Sequence, residues 1–282
     1  GRVLLMAVIL ISLFGISPSC PDDDVAGYEI SSPSKVPDQI GMYNDEIMRY
    51  THLLSQNPDN PDLLMGKGGL LLLLGRPDAA LTAFDRAVSV SPENATLWRM
   101  KGEVLSELGR YSDALPAFGN SILLNPSDGA AWEGKGYALL KAGKADEAVE
   151  SFDAAIGLSP MNAQILELKG DALLESGKKE EALSAYLLAL SLPAAQPDLF
   201  MKAGNLSLRM GQYSDALSSF SRVSEMHPAS TAPLEGIAAA HFGLGAFGQA
   251  GDALKRALEL DSRNVTLMVL LGDSLRLQKR YD

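Results

Sequence analysis

The stretch 134–145, GKGYALLKAGKA, sets glycines beside lysines, the material of a phosphate cradle. Such a loop needs the spacing G-x4-G-K-[ST] between a strand and a helix, so that consecutive backbone N–H groups converge on the anion. Gly136 and Gly143 lie too far apart, Ala145 follows Lys144 where a hydroxyl is required, and no strand pattern precedes them. The other reactive side chains are thinly spread. One cysteine, Cys20, and three separated histidines, His52, His227 and His241, cannot supply a disulfide framework or a Cys/His metal set. Carboxylates are abundant, but none stands with a histidine or a serine nucleophile in a unique insertion. The expectation is therefore a non-enzyme, with no catalytic residues, no cofactor and no metal ligands.

Charge narrows the partners. Over 282 residues the formal net charge is −11 and the pI about 4.8. That balance repels nucleic-acid phosphates and leaves no basic footprint for them. The acids are distributed rather than blocked, as on a solvated surface.

The first residues are of another kind. Residues 3–16, VLLMAVILISLFGI, follow Arg2 and end at SPSCPDDD. The run is shorter than the roughly 20 residues that a spanning helix needs. It fits the apolar region of a secretory signal, so residues 1–19 are expected to be a signal peptide or an uncleaved membrane anchor. Cys20 sits where a bacterial-type lipoprotein signal has its lipid acceptor, although Ser17 replaces the leucine-like residue of that signal. Residues 20–37, rich in proline, aspartate and serine, read as a flexible linker, and 38–58 as a leading helix. The chain is expected to be exported or membrane-anchored at the cell envelope, with possible membrane attachment through the N-terminus.

What must position any working residue after that point is a repeat. Trp98 and Trp132 are 34 apart, as are Gly102 and Gly136, Gly109 and Gly143, Ala114 and Ala148, Phe118 and Phe152, and Pro126 and Pro160. Extended both ways, the period tiles 61–264 as six frames: 61–94, 95–128, 129–162, 163–196, 197–230 and 231–264. Residues 265–282 read as a truncated seventh. Apolar or small residues at positions 4, 7 or 8, and 11 give the first half of each frame one helical face. Position 15 is glycine in all six frames, suited to a left-handed helix cap. Asp78, Ser112, Asp146, Glu180 and Ser214, three residues later, are expected to start a second helix. Position 24 is aromatic or leucine, and proline near position 32 ends the helix. The glycines of 134–145 thus recur in every unit and serve helix contact and termination. Trp98 and Trp132 are expected in the core, and Leu267, Leu271 and Leu275 as an exposed edge of the seventh frame.

Trp98 with Gly102, Trp132 with Gly136, the Ala/Phe pairs and the closing Pro126 and Pro160 resemble the tetratricopeptide repeat family, over 204 of 282 residues. The resemblance implies an all-α fold, a right-handed α-solenoid of antiparallel helix pairs, whose concave side holds a peptide or partner helix. Pro193, one place early, and Ser262, in place of a proline, depart from the pattern.

Positions 2, 5, 9 and 12 of each first helix cluster roughly 130° from the core stripe. In this family they line the groove. Here they hold Asp62, Glu103, Glu133, Glu167, Asp171, Asp198, Glu235 and Asp273 against Arg99 and Arg276, with Met65, Tyr137, Met201 and several leucines between. The subclass that clamps acidic tails uses Lys, Asn and Arg at positions 5 and 9; here Asn205 matches it beside Arg99, and the remaining places do not. The expected partner-binding residues are Arg99, Glu103, Glu133, Tyr137, Glu167, Asp171, Met201, Asn205 and Glu235. The expected function is a protein-interaction scaffold holding a basic, apolar protein or peptide ligand. The alternative is a recognition arm of a larger enzyme or of a secretion or assembly machine.

Overall fold

The computed structural model describes residues 36–193 and 196–281. The expectations for residues 1–35, including the signal or anchor and Cys20, fall outside them. The described residues form fourteen α-helices joined by short turns: α1 Val36–Gln56, α2 Pro61–Leu73, α3 Pro77–Val90, α4 Ala95–Glu107, α5 Tyr111–Leu124, α6 Gly129–Lys141, α7 Ala145–Leu158, α8 Ala163–Glu175, α9 Lys179–Leu190, α10 Pro197–Arg209, α11 Tyr213–Met226, α12 Thr231–Gly243, α13 Phe247–Leu260 and α14 Val265–Tyr281. The chain divides into two compact units, the first ending at Ala138 and the second beginning at Leu139. Within each, successive helices pack as antiparallel neighbours, as their short turns require.

Each turn inside a pair is made the same way. Gly75, at φ 67°, lies in the left-handed region where a Cβ would be strained. Its N–H donates to the Leu72 carbonyl and the Arg76 N–H to that of Leu71, which closes the helix end. The glycines at the other five position-15 sites have φ between 71° and 77°. This turn is tight enough that helix resumes two residues after the glycine. Asp78, Asp146 and Glu180 therefore lie in the first turn rather than at its cap. Their charge favours the helix N-terminus through the dipole. The side-chain caps are elsewhere, at the junctions between pairs. Asn60, Asn94, Asp128 and Asn162 accept backbone N–H bonds at the starts of α2, α4, α6 and α8.

The core follows the position-24 rings. Phe84, Phe118, Phe152, Tyr186 and Phe220 are almost wholly buried. Phe118 is held between two glycines: a Cβ at Gly102 of α4 would lie 2.9 Å from its ring, and one at Gly134 of α6 would lie 2.5 Å away. Neither position accepts a larger residue without moving the ring.

Two expectations are corrected. Trp98 and Trp132 are only half-buried. Their indole N–H groups donate to the carbonyls of Pro92 (2.7 Å) and Pro126 (3.0 Å), so they latch the junction turns while Leu97 and Ala131 fill the core beside them. The bonded edge keeps each ring at the rim of its pair, and from there Trp98 still packs against the buried cluster of Leu54, Leu64, Ala87, Val88 and Leu97. At α14, Leu267 is fully buried and Leu271 partly buried against α13, whereas Leu275 is exposed as expected, together with Val265, Met268 and Val269. Early Pro193 goes with a shorter α9, of 12 residues against 14 in the other second helices.

Candidate functional site

The residues of the first-helix face form two polar clusters, one in each unit. In the first unit Arg99 and Glu103, one turn apart on α4, are hydrogen-bonded, and Arg99 Nε lies 3.1 Å from Asp128 Oδ2. The other oxygen of Asp128 accepts from Ala130 N at the start of α6 (3.1 Å), so one guanidinium ties α4 to the cap of the next first helix. Burial works against the Arg99 charge, but Glu103 and Asp128 outweigh it and hold the group protonated. Burial raises the Glu103 carboxyl above its usual range, against the pull of Arg99. Glu133 of α6 is also raised, by burial first and then by the Glu103 charge. Tyr137 stands edge-on to Tyr111 at 6.2 Å between ring centres.

The second unit solves the same problem with a lysine. Lys202 of α10 places Nζ 2.7 Å from Glu167 Oε1 and 2.7 Å from Asp171 Oδ2, both on α8. The Tyr186 hydroxyl donates to Asp171 Oδ1 at 2.6 Å. Burial, then this hydrogen bond, pushes the phenol well above its ordinary pKa. Burial would lower the Lys202 ammonium, but Asp171 and Glu167 prevail and raise it.

Beyond this cluster, Met201 lines an open cleft of about 730 Å³ between α10, the end of α11 and the start of α12. Val223, Met226 and Pro233 give it an apolar wall, and Asp198 and His227 stand on it. Asn205 is exposed on α10, and Glu235 is half-buried on α12 with no ion pair to a described residue.

Of the nine expected residues, Arg99, Glu103 and Glu133 are thus electrostatically coupled, Glu167 and Asp171 are coupled, and Met201 joins the cleft. The acid excess on this face is smaller than the residue types at those positions suggest, because Lys202, from outside them, pairs with Glu167 and Asp171. Lys202, Asp128 and Tyr186 were not among the expected residues. Lys202 occupies position 6, off the four-position face, and only its long stem brings it there. Tyr186 carried a usable signal, as the one hydroxylated ring in a position otherwise held by phenylalanine or leucine. Among the described residues no cluster of His, Cys, Asp and Glu could hold a metal ion, and no helix is long and apolar enough to cross a membrane.

Known proteins share this fold. A structure from Cytophaga hutchinsonii, the C-terminal part of a TPR repeat-containing protein, aligns with TM-score 0.70 at 15% identity, over 84% of this chain and 97% of that one. YrrB, described as a TPR protein with an unusual peptide-binding site, aligns with TM-score 0.59 at 20% identity, over 71% and 99%. MamA from Desulfovibrio magneticus RS-1 aligns with TM-score 0.55 at 21% identity, over 66% and 97%. At such identities the likeness concerns the fold. No curated protein sequence matches the chain. One tetratricopeptide-repeat family model matches residues 99–160, 134–198 and 201–265, more than half of the chain, and a second matches 43–104. The chain belongs to the tetratricopeptide repeat family.

Proposed function

We propose that this protein is a non-catalytic scaffold that holds a peptide or partner protein on the first-helix face, with the cleft at Met201 as its anchoring point. The observation that carries this reading is the cleft itself. Met201, Val223 and Met226 offer a deformable apolar seat for one side chain, and Asp198 stands on its wall. An extended segment with an apolar residue beside a lysine or arginine fits that pair of features. The cluster of Lys202 with Glu167 and Asp171, in the same unit, then acts as a rigid flank, because its charges are already paired within the chain. The peptide-binding description of YrrB, a protein of similar fold, agrees with this use of the architecture.

The six frames from 61 to 264 are the proposed interaction domain. The apolar run of residues 3–16 supports a further reading, that this domain is presented at the cell envelope. Cell fractionation of the protein produced in its native host tests this reading. Recovery of an unprocessed chain in the cytosol alone would refute it.

Binding is tested with a peptide array that varies apolar and basic residues, followed by titration of the best sequence at low and moderate salt. Met201→Glu is expected to abolish binding, and Asp198→Lys to weaken it mainly at low salt, where charge attraction is least screened. Glu259→Lys, on the exposed face of α13, serves as the control. Equal affinity of all three variants would overturn the assignment.

A further inference from the structure

The repeat builds one apolar seat twice. Residues 61–65 read PDLLM and residues 197–201 read PDLFM, and of the six frames only these two carry methionine at position 5. In the first of them, Met65 and Ala87, at positions 5 and 27, belong to an apolar cluster that Leu97 of the next frame joins. The Trp98 ring packs against that cluster. Its N–H donates to the carbonyl of Pro92, at position 32, over 2.7 Å. An indole therefore fills the junction between one pair and the next, its body on apolar side chains and its polar edge on a turn.

The second seat has the same walls and no ring. The cleft of the second unit is lined by Met201, Val223, Pro228 and Pro233, at positions 5, 27, 32 and 3, the counterparts of Met65, Ala87, Pro92 and Leu97. Leu234 stands at the place of Trp98. It is 2% exposed, packs with Ala253 and Leu254 of its own pair and does not line the cleft. A leucine has no N–H to offer the Pro228 carbonyl, and its side chain is too short to cover this junction as an indole does. The chain has no tryptophan to spare either. Trp98 and Trp132 are its only two, and each is latched to its own junction turn.

Resting on the reading of this cleft as the anchoring point, we propose that its occupant is a tryptophan side chain of a partner protein, seated on Met201, Val223 and Pro233 with its N–H donating to the Pro228 carbonyl. Tryptophan is also the side chain that most often anchors a protein segment in a pocket of this kind. Asp198, the counterpart of Asp62, stands on the same wall and suits a lysine or arginine beside that tryptophan. The partner motif is then a tryptophan with a basic neighbour.

Methionine methyl signals of the full chain report on both seats. The probe is N-acetyl-tryptophanamide, with N-acetyl-leucinamide as the apolar control and an analogue methylated at the indole nitrogen as the hydrogen-bond control. The tryptophan probe is expected to shift the Met201 and Met226 methyl signals through its ring current and to leave Met65 unmoved. It should bind about tenfold more tightly than the leucine amide, and methylation of the indole nitrogen should weaken it about three- to tenfold. Trp98→Leu gives the second frame the residue of the sixth and should open the first seat, so that Met65 responds as well. Leu234→Trp supplies the ring from within and should silence Met201 and Met226. Should the larger ring unfold the sixth frame, the Trp98→Leu arm decides. The proposal is overturned if the leucine amide or the methylated analogue binds as tightly as the tryptophan amide, or if Met65 stays silent in folded Trp98→Leu; the cleft then remains a general apolar anchor. If no probe moves Met201 or Met226, the anchoring role of the cleft fails together with its tryptophan.

Discussion

The two polar clusters use the same repeat positions for opposite kinds of connection. In the first unit the base lies on the same helix as its main acid, and Arg99 spends its planar fork on Glu103 and the Asp128 cap. In the second the base arrives from the next first helix, and Lys202 grips Glu167 and Asp171 across the junction. Tyr186 adds a hydrogen bond from the core to that grip, whereas Phe118, its counterpart, has no hydroxyl to offer Glu103. The first cluster therefore keeps a further acid, Glu133, close to Glu103, while the second brings Lys202 and a phenol donor to two acids. A repeat fixes where side chains emerge. Whether they balance is decided by single substitutions.

The largest effects should come from the rings under each cluster. Phe118→Ala and Tyr186→Ala should each cost about 3–5 kcal/mol, because a buried aromatic leaves a cavity that flanking helices only partly close. Tyr186→Phe removes only the bond to Asp171 and should cost about 1 kcal/mol. Urea melts of the three variants check this, and a Tyr186→Phe loss as large as that of Tyr186→Ala would place the value of Tyr186 in its hydroxyl.

Removing the bases separates the clusters next. Arg99→Met strands two neighbouring carboxylates, Glu103 and Asp128, and should cost about 1.5–3 kcal/mol near neutral pH, the range of charge-assisted bonds. Lys202→Met should cost about 1 kcal/mol, since its pairs are more open to solvent and are screened. The Arg99→Met loss should shrink in acid, where Glu103 and Glu133 take up protons. Equal losses at every pH would mean that the two clusters are energetically alike. Smaller again is the latch. Trp132→Ala should cost about 1–2 kcal/mol, one hydrogen bond and the burial of half a side chain. A loss comparable to that of Phe118→Ala would return Trp132 to the core.

These contrasts mark how far the residues alone could be read. Gly75 and its five counterparts were legible because only glycine suits a left-handed turn, and Phe118 because a large ring among small residues demands a pair of helices around it. The caps at Asn60, Asn94 and Asn162 were not legible, because an asparagine before a helix is equally at home in a plain turn, and the acids after the glycine serve the dipole instead. The acids of the first-helix face were visible by type and spacing. Their pairing was not, since the reach of Lys202 from α10 to α8 depends on how closely first helices approach, and no single-helix projection contains that distance. The cleft at Met201 was half-legible: its position-5 methionine was expected on the face, but Val223 and Met226 come from a second helix.

The smallest prediction concerns Glu133. Burial and Glu103 raise its carboxyl from the ordinary value of 4.5, so folding favours the protonated form. Well below that value the group is protonated in both folded and unfolded chains and contributes nothing to the pH dependence. As pH climbs from the ordinary value through the raised one, the unfolded chain releases its proton first and stability falls; above the raised value the cost stays constant. Glu133→Gln removes a charge the fold disfavours while keeping the shape of the side chain. It should therefore raise the melting midpoint at pH 7, and the gain should fade towards about pH 3.5. Part of the gain belongs to repulsion from Glu103, so it should be smaller when Glu103→Gln is already present, which a double-mutant cycle measures. No equivalent gain is expected from Glu167→Gln, because that carboxylate faces Lys202. A Glu133→Gln midpoint below that of the unaltered protein at pH 7 would show that Glu133 is held as a needed anion, and the asymmetry between the two clusters would be lost.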